Sequence, residues 1–190
     1  FNFYQNEDEL LTALRERKIS GTPSLSTTAL ASLDASDYRV IEVPLPRTFG
    51  IYFNQNRAVP LRDLAARSAL SAAIDRQTLI ESVLNGYGIP TTSPVPPGFL
   101  DVELETVTSS SSATSSAAER ARTILRDGGW KESENGRWQK TIGEDTATLA
   151  ITLSTANSGV FDATAKAVAE AWRAIGVEVT IAPYEQTDLV

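Results

Sequence analysis

The sequence predicts a mixed α/β fold, because segments with strand character alternate with segments with helical character along its 190 residues. Residues Thr146–Thr155 alternate apolar and polar side chains, which is the pattern of a half-buried strand. Residues Phe161–Ile175 then space their apolar side chains as one face of an amphipathic helix, and Val177–Ile181 is a further strand. This alternation favours the α/β class, or α+β with a mixed sheet.

The first part of the sequence predicts four short elements, and two prolines follow the last of them. Asn6 followed by Glu9 has the spacing of a capping box, so a helix is expected to begin there. Pro44 and Pro46 stop regular structure and mark a candidate hinge. In chain order, the elements are a strand at Phe1–Tyr4, a helix from Asn6 to near Lys18, a helix at Thr27–Leu33 and a strand at Tyr38–Val43.

The next stretch predicts one strand and two helices. Phe49–Phe53 is rich in aromatic and β-branched residues, as strands are. Pro60 suits the first turn of a helix whose alanine-rich face allows a neighbouring element to approach closely. Asp75 is predicted as the N-cap of a second helix that ends at Gly86. A charge-assisted bond between Arg67 and Asp75 is expected to tie the first helix to this corner.

A further helix and strand complete the prediction. The helix covers Ala117–Arg126, and the strand covers Trp138–Thr141.

The three tryptophans could stack sugars or aromatic side chains, but their positions favour core packing. They are Trp130 beside a glycine, Trp138 in a hairpin and Trp172 inside the amphipathic helix.

The composition excludes several classes of site. With 24 acidic and 17 basic residues the net charge is −7, which argues against nucleic acid as a partner. No apolar run is long enough to span a membrane. The absence of His and Cys removes zinc sites, disulfides and the Ser-His and Cys-His catalytic pairs. The acidic run Glu7–Glu9 is explained by the dipole of the predicted helix, so we expect no metal site and no cofactor. The absence of Met leads us to expect a processed chain or an excerpt.

An ordered set of motifs resembles one family of proteins. The run FNQNRAVPLRDLAARSALSAAIDRQTLIESVLNGYGIPTTSPVPPG is similar to a segment of family 5 extracellular solute-binding proteins, the peptide, nickel and oligosaccharide receptors of ABC importers. The later run AERARTILRDGGW resembles the family's Ala-x-x-Leu-Leu-x-x-x-Gly-Trp element, and the resemblance covers nearly the whole chain. The matching positions are Phe53-Asn54, Pro60, Asp63, Arg67–Leu70, Ala73–Arg76 and Gly86–Pro90.

The resemblance implies a fold of the periplasmic-binding-protein-like type II, in which two lobes joined by crossing segments trap a ligand. It places residues 1–46 in a strand-helix segment of the first lobe and residues 47–190 in a second lobe that is incomplete at its C-terminal end. The crossing would fall near Pro46–Thr48, and the chain would be an internal excerpt of a longer receptor.

Five residues are implied as ligand contacts. Gly50 and Tyr52 alternate with Ile51 and Phe53, so one pair is expected to face the core and the other a cleft. The resemblance favours Gly50 and Tyr52 for the cleft, and ordinary strand packing is the alternative. It also implies contacts from Phe161, Tyr184 and Gln186, for which core packing is the alternative. We expect no catalytic residue among them.

The function implied is the substrate-binding component of an ABC importer, which captures a peptide-class solute between two lobes. The partners implied are an oligopeptide and the permease with its ATPase, in the periplasm or outside the cell, with a lipid anchor outside these residues as the membrane contact. A carboxylate-based hydrolase or a sensor or scaffold domain on the same fold are the alternatives. The sequence leaves open whether the ligand is an oligopeptide, a dipeptide, a nickel chelate or an oligosaccharide.

Overall fold

The structure, a computed structural model, describes residues 2–23, 25–34, 36–43, 45–96 and 115–185. It contains helices and two small sheets, one antiparallel and one parallel, so the predicted mixed α/β class is confirmed. The chain separates into two compact units, Phe1–Pro46 and Arg47–Val190.

The first unit is built on two short helices. Helix α1 spans Glu7–Arg15 and helix α2 spans Thr27–Ala31. The Asn6 side chain caps α1 by accepting from the N–H of Glu9 at 2.9 Å. The N–H and the hydroxyl of Ser26, the N-cap of α2, both donate to the Glu7 carboxylate, at 2.6 and 2.7 Å, and they lower the pKa of Glu7. This pair of bonds ties the start of α2 to the start of α1.

Three predicted strands do not form, and two helices are shorter than predicted. The helix predicted at Thr27–Leu33 ends at Ala31. Within the described residues, the segments 2–4, 38–43 and 49–53 have no hydrogen-bonded neighbouring strand. Their side-chain pattern suits a strand, but a strand also needs a partner for its N–H and C=O groups. Helix α1 ends at Arg15 rather than near Lys18, because Arg17 adopts a left-handed conformation with φ 57°.

In the described part of the second unit there are four α-helices. A 3₁₀ turn at Val59–Arg62 precedes the first of them, so Pro60 lies in that turn and not in the α-helix itself. Side-chain caps start three of the helices, at Asp63, Asp75 and Ser116. The helices are α3 at Leu64–Ala72, α4 at Arg76–Leu84, α5 at Ala117–Asp127 and α6 at Gly159–Ala174.

Two small sheets are also present in the described residues of the second unit. The antiparallel sheet has the order β1-β2-β3, and the second sheet is the parallel pair β4-β5. The predicted strand Thr146–Thr155 is divided at Leu149, because its first half pairs with β2 and its second half pairs with β5. The strands are β1 at Lys131–Glu132, β2 at Trp138–Ile142, β3 at Asp145–Thr148, β4 at Ala150–Ala156 and β5 at Glu178–Tyr184.

The core of the second unit is organised around the three tryptophans, so the prediction that they pack internally is confirmed. Each indole N–H has a partner, as a buried polar group requires. Trp172 donates to the carbonyl oxygen of Leu70 at 2.9 Å, and Trp138 donates to the carbonyl oxygen of Ile175 at 2.6 Å. Trp172 therefore links α6 to α3 across the centre of the unit.

Asp63 joins α3 to the antiparallel sheet. Its carboxylate accepts from the N–H of Ala66, from Nε1 of Trp130 at 3.0 Å and from Nζ of Lys140 at 2.5 Å. Burial raises the pKa of this carboxyl, but the hydrogen bonds from Lys140, Trp130 and Ala66 outweigh it, and the net pKa lies below the ordinary value of 3.8.

Arg67 is fixed in place, but not by the predicted partner. Its Nη1 donates to the carbonyl oxygens of Leu61 at 2.7 Å and Arg62 at 3.0 Å. Asp75 accepts instead from the N–H of Thr78 at 3.1 Å, which is the capping bond of α4. The predicted bond between Arg67 and Asp75 is wrong, because each group satisfies backbone atoms closer to it in the chain.

The prediction of close packing against the alanine-rich helix is confirmed. Ala66 and Ala69 of α3 are fully buried, and α5 packs on the same helix. At Gly128, which follows α5, an added Cβ would lie 2.2 Å from the Cβ of Ala65. Only a residue without a side chain fits at this end of α5.

Candidate functional site

The candidate site lies at the edge of the parallel sheet where both strands end. Strand β4 ends at Ala156, directly opposite Tyr184 at the end of β5. The chain then turns, with the N–H of Asn157 donating to the carbonyl oxygen of Tyr184 at 2.7 Å, and α6 starts at Gly159. In open α/β sheets, ligands bind outside the carboxyl ends of parallel strands, so this edge is where the fold predicts a site.

An aromatic pair stands at this edge. The rings of Phe49 and Phe161 have centroids 5.7 Å apart and an interplanar angle of 61°, which is edge-to-face packing. Phe161 lies in the first turn of α6, and its carbonyl oxygen accepts from the hydroxyl of Thr155 at 3.4 Å. Phe49 is 67% exposed and Phe161 is 39% exposed. The pair therefore brings the segment 49–53 to the start of α6 while leaving much of both rings in solvent.

Among the described residues, few polar groups lie at this edge. Asn157 Nδ2 donates to Oε1 of Glu185 at 3.3 Å, which fixes this carboxylate beside the end of β5. The Ser158 side chain makes no capping bond to α6. Asp162 is paired with Lys166 at 2.7 Å on the exposed side of the helix. The edge thus combines apolar rings with the carboxylate of Glu185.

Four of the five predicted contact residues lie in the described part of the chain. Tyr52 is 88% exposed, and its ring lies 4.0 Å from the position of a Cβ on Gly50. Tyr184 is 42% exposed at the end of β5. Phe161 and Tyr184 lie at this edge, Gly50 and Tyr52 lie in the segment that reaches it through Phe49, and Gln186 lies outside the described residues. Their role in ligand binding stays a prediction.

The sequence did not identify Phe49 as a site residue. In the alternating pattern it shares a face with Ile51 and Phe53, which predicts a core position. Phe53 does pack near Trp172, with ring centroids 6.4 Å apart. Phe49 instead packs against Phe161 at the start of α6 and stays mostly exposed. The sequence shows that residues 49 and 161 are both aromatic, but only the tertiary structure shows that their rings are in contact.

A depression lies on the antiparallel sheet. It is open, has a volume of about 490 Å³ and is lined by polar side chains that include Lys131, Gln139 and Thr146. Within the described residues, no group of three or more acidic, histidine or cysteine side chains is placed to hold a metal ion. The aromatic edge lies at the carboxyl ends of the parallel strands, where this fold class binds ligands, and so it is the stronger candidate.

Comparison with known proteins places these features in context. The profile of the bacterial extracellular solute-binding proteins, family 5 Middle, matches residues 1–190. No curated protein matches the chain. Across the described ranges, no helix is both long enough and apolar enough to cross a membrane.

Solved structures share the fold. An ABC transporter substrate-binding protein from Sinorhizobium meliloti is 20% identical, with a TM-score of 0.73, and the match covers 98% of this chain and 38% of that one. CtaP from Listeria monocytogenes, also an ABC transporter substrate-binding protein, is 18% identical with a TM-score of 0.65, covering 100% and 35%. The oligopeptide-binding protein AppA from Bacillus subtilis, solved with a nonapeptide, is 26% identical with a TM-score of 0.57, covering 72% and 26%. The chain thus spans well under half the length of each.

Proposed function

Because the chain belongs to the bacterial extracellular solute-binding proteins of family 5, we propose that it captures a peptide-class solute for an ABC importer and delivers it to the permease. Its structural neighbours are periplasmic-binding-protein-like, and family 5 proteins are extracellular or periplasmic receptors of ABC transporters. This membership favours a binding role over the hydrolase alternative.

The observation that carries the proposal is the exposed aromatic edge of the parallel sheet. Phe49, Phe161 and Tyr184 present apolar surface at the point where this fold class binds ligands. The apolar side chains of a peptide can pack against such a surface, and its backbone can form hydrogen bonds with polar groups. The peptide class is also supported by AppA, which was solved with a nonapeptide.

Capture would follow the two-lobe scheme. We assign residues 1–46 to the first lobe and residues 47–190 to the second, with the crossing near Pro46–Thr48. Contacts that form only when the lobes are closed would shift the receptor toward the closed state, and the closed state would be the one that the permease recognises. A lipid anchor outside these residues is proposed as the membrane attachment.

The test is to identify the solute carried by the longer receptor that contains this sequence. The receptor would be purified without denaturation, and its bound solute released and identified by mass spectrometry. We expect peptides, and synthetic copies of them should bind the emptied receptor with micromolar or tighter affinity in calorimetry.

Two results would contradict the proposal. Recovery of a nickel chelate or an oligosaccharide that rebinds would overturn the peptide class while keeping the receptor role. Failure of the emptied receptor to bind peptides, chelates and oligosaccharides alike would overturn solute capture. A receptor that had been heat-denatured and processed in the same way is the control for solutes that adhere nonspecifically.

A further inference from the structure

We infer that Asn85 is a site of spontaneous covalent modification, at which the folded chain converts this asparagine to aspartate and isoaspartate with water as the co-reactant. The inference is independent of the proposed function, because it concerns the chemistry of an exposed turn at the end of α4.

The dipeptide Asn-Gly is where this reaction meets the least steric hindrance, because glycine has no side chain beside the attacking nitrogen. The sequence contains two such pairs, Asn85-Gly86 and Asn135-Gly136. Both asparagines are exposed, so exposure does not distinguish them. The structure distinguishes them by how firmly each glycine nitrogen is held.

The reaction needs a glycine N–H that is free of its hydrogen bond. Hydroxide removes the proton from this backbone nitrogen, and the nitrogen then attacks Cγ of the asparagine side chain. A new C–N bond closes a succinimide ring, and the side-chain nitrogen leaves as ammonia. Water opens the ring at either of its carbonyl carbons and leaves aspartate or isoaspartate. No oxidant or reductant takes part, and the product carries a negative charge that the asparagine lacked.

At Asn85 the attacking nitrogen lies at a weakly held helix end. Asn85 ends α4 in a left-handed conformation with φ 51°. Its N–H and that of Gly86 both donate to the carbonyl oxygen of Ile80, the second of them at 3.2 Å. All residues of α4 are described, and none of them is buried, so opening its last turn exposes little apolar surface and costs little free energy. The nitrogen of Gly86 is therefore released often.

At Asn135 the corresponding nitrogen is held by a turn that packs on the core. The N–H of Gly136 donates to the carbonyl oxygen of Ser133 at 2.8 Å, and the N–H of Ser133 donates to that of Arg137 at 2.8 Å. A Cβ added to Gly176, which follows α6, would lie 2.9 Å from the carbonyl oxygen of Gly136. Trp138, at the start of the next strand, is fully buried. Releasing the nitrogen of Gly136 therefore requires the hairpin to separate from the core.

The product changes the end of α4. A carboxylate at residue 85 lies at the negative end of the helix dipole, which is unfavourable. Isoaspartate also adds a carbon atom to the backbone before Gly86, so the N–H of Gly86 can no longer reach Ile80 in the same geometry. The modification should loosen the last turn of α4 and leave the core intact.

The test is to age the longer receptor at mildly alkaline pH and to follow both asparagines by peptide mapping with mass spectrometry. In the folded receptor, conversion at Asn85 should be at least about 10-fold faster than at Asn135, since a reaction through an open state follows the population of that state. In the receptor unfolded in urea, the two rates should differ by less than about 3-fold, because only fluctuating structure remains around the two identical dipeptides. A sample digested before ageing is the control for conversion during digestion.

Two variants check the site and its consequence. Asn85→Gly tolerates the left-handed conformation and removes the side-chain amide, so no new charge should appear at this position, and Asn135→Gly is the matched control that should leave conversion at Asn85 unchanged. Asn85→Asp has the charge of one product. In this variant hydrogen exchange at the N–H of Gly86 should be about 2- to 5-fold faster than in the wild type, with exchange at Gly136 unchanged.

Three results would overturn the inference. The first is conversion at Asn135 that equals or exceeds conversion at Asn85 in the folded receptor. The second is the same ratio of rates in the folded and unfolded receptor, because local sequence alone would then set the rates. The third is no conversion at Asn85 in the folded receptor over a period in which the unfolded receptor reacts. None of these results bears on solute capture, which the identification of the bound solute tests separately.

Discussion

Asp63 carries three roles at one position, since it caps α3, accepts from Trp130 and pairs with Lys140. In the sequence, Asp63 was noted only as one position of the family resemblance. Its two tertiary contacts could not be predicted from local patterns, because Trp130 and Lys140 are 67 and 77 residues away along the chain. A short acceptor before a helix predicts a cap, but nothing local predicts an indole and an ammonium on the same carboxylate. Such a position is where a substitution should have effects out of proportion to its size.

Replacing Asp63 by Ala should destabilise the second unit by about 3 kcal/mol, since it removes a cap and leaves a partly buried ammonium and an indole N–H unpaired. Asp63→Asn keeps the cap but removes the charge and the oxygen that accepts from Lys140, so it should cost less. Urea unfolding at neutral pH gives both values. Equal losses for the two variants would show that the bond to Lys140 contributes everything and the cap nothing.

The same residue predicts a pH dependence. The folded-state pKa of Asp63 is lowered below its ordinary value of 3.8, so its contribution is present above that value and is lost as the pH falls through the folded-state pKa. Stability of the wild type should therefore drop more steeply than that of Asp63→Asn when the pH is lowered below about 4. Unfolding curves between neutral pH and pH 2.5 would check this, and parallel curves for the two proteins would contradict it.

A second prediction concerns the hydroxyl group of Thr48. Its hydroxyl oxygen is buried and has no hydrogen-bond partner among the described residues. Thr48→Val keeps the shape and removes the hydroxyl, so it should stabilise the protein by about 1 kcal/mol. Thermal or urea unfolding measures the change. A loss of stability would mean that the hydroxyl is in fact bonded, and Thr48→Ser, which keeps the hydroxyl, is the control.

Among the secondary-structure elements, helices were predicted better than isolated strands, because a helix is specified by local contacts and a strand needs a distant partner. The caps at Asn6, Ser26 and Asp75 each satisfy N–H groups within three residues, so a local sequence pattern is sufficient to specify them. The segment 49–53 has the composition of a strand, but its hydrogen bonds would need a neighbour that the sequence pattern does not name. Phe49 was missed as a site residue for the same reason.

The packing of α5 on α3 gives a prediction at this scale. Gly128→Ala should destabilise by about 1–3 kcal/mol, because its methyl group would overlap the Cβ of Ala65 and force the two helices apart. Gly159→Ala is the matched control, because no atom lies within 4 Å of the added Cβ and the residue is helical. It should be neutral or stabilising by up to about 1 kcal/mol. Equal effects in chemical denaturation would argue against a steric cause at Gly128.

At the scale of the molecule, apolar side chains remain exposed in extended segments that have no partner strand among the described residues. Ile41 and Val43 are mostly exposed in such a segment of the first unit. An unpaired extended edge with apolar side chains is a template for association. Residues 1–190 produced alone should therefore self-associate as the concentration rises.

Light scattering after gel filtration would measure this association. The double variant Ile41→Lys/Val43→Lys should shift the chain toward the monomer, because charge on an exposed edge opposes pairing. Leu64→Lys is the control, since Leu64 is equally exposed but starts a helix. A monomeric wild type at every concentration would contradict the prediction.

The burial of all three tryptophans gives the molecule an optical reporter for the interior of its second unit. Excitation at the long-wavelength edge of the indole band selects Trp130, Trp138 and Trp172, which lie in the core and change surroundings when the unit unfolds. The exposed phenols of Tyr52 and Tyr184 are not excited there. Tryptophan emission should thus report the folding of every variant above.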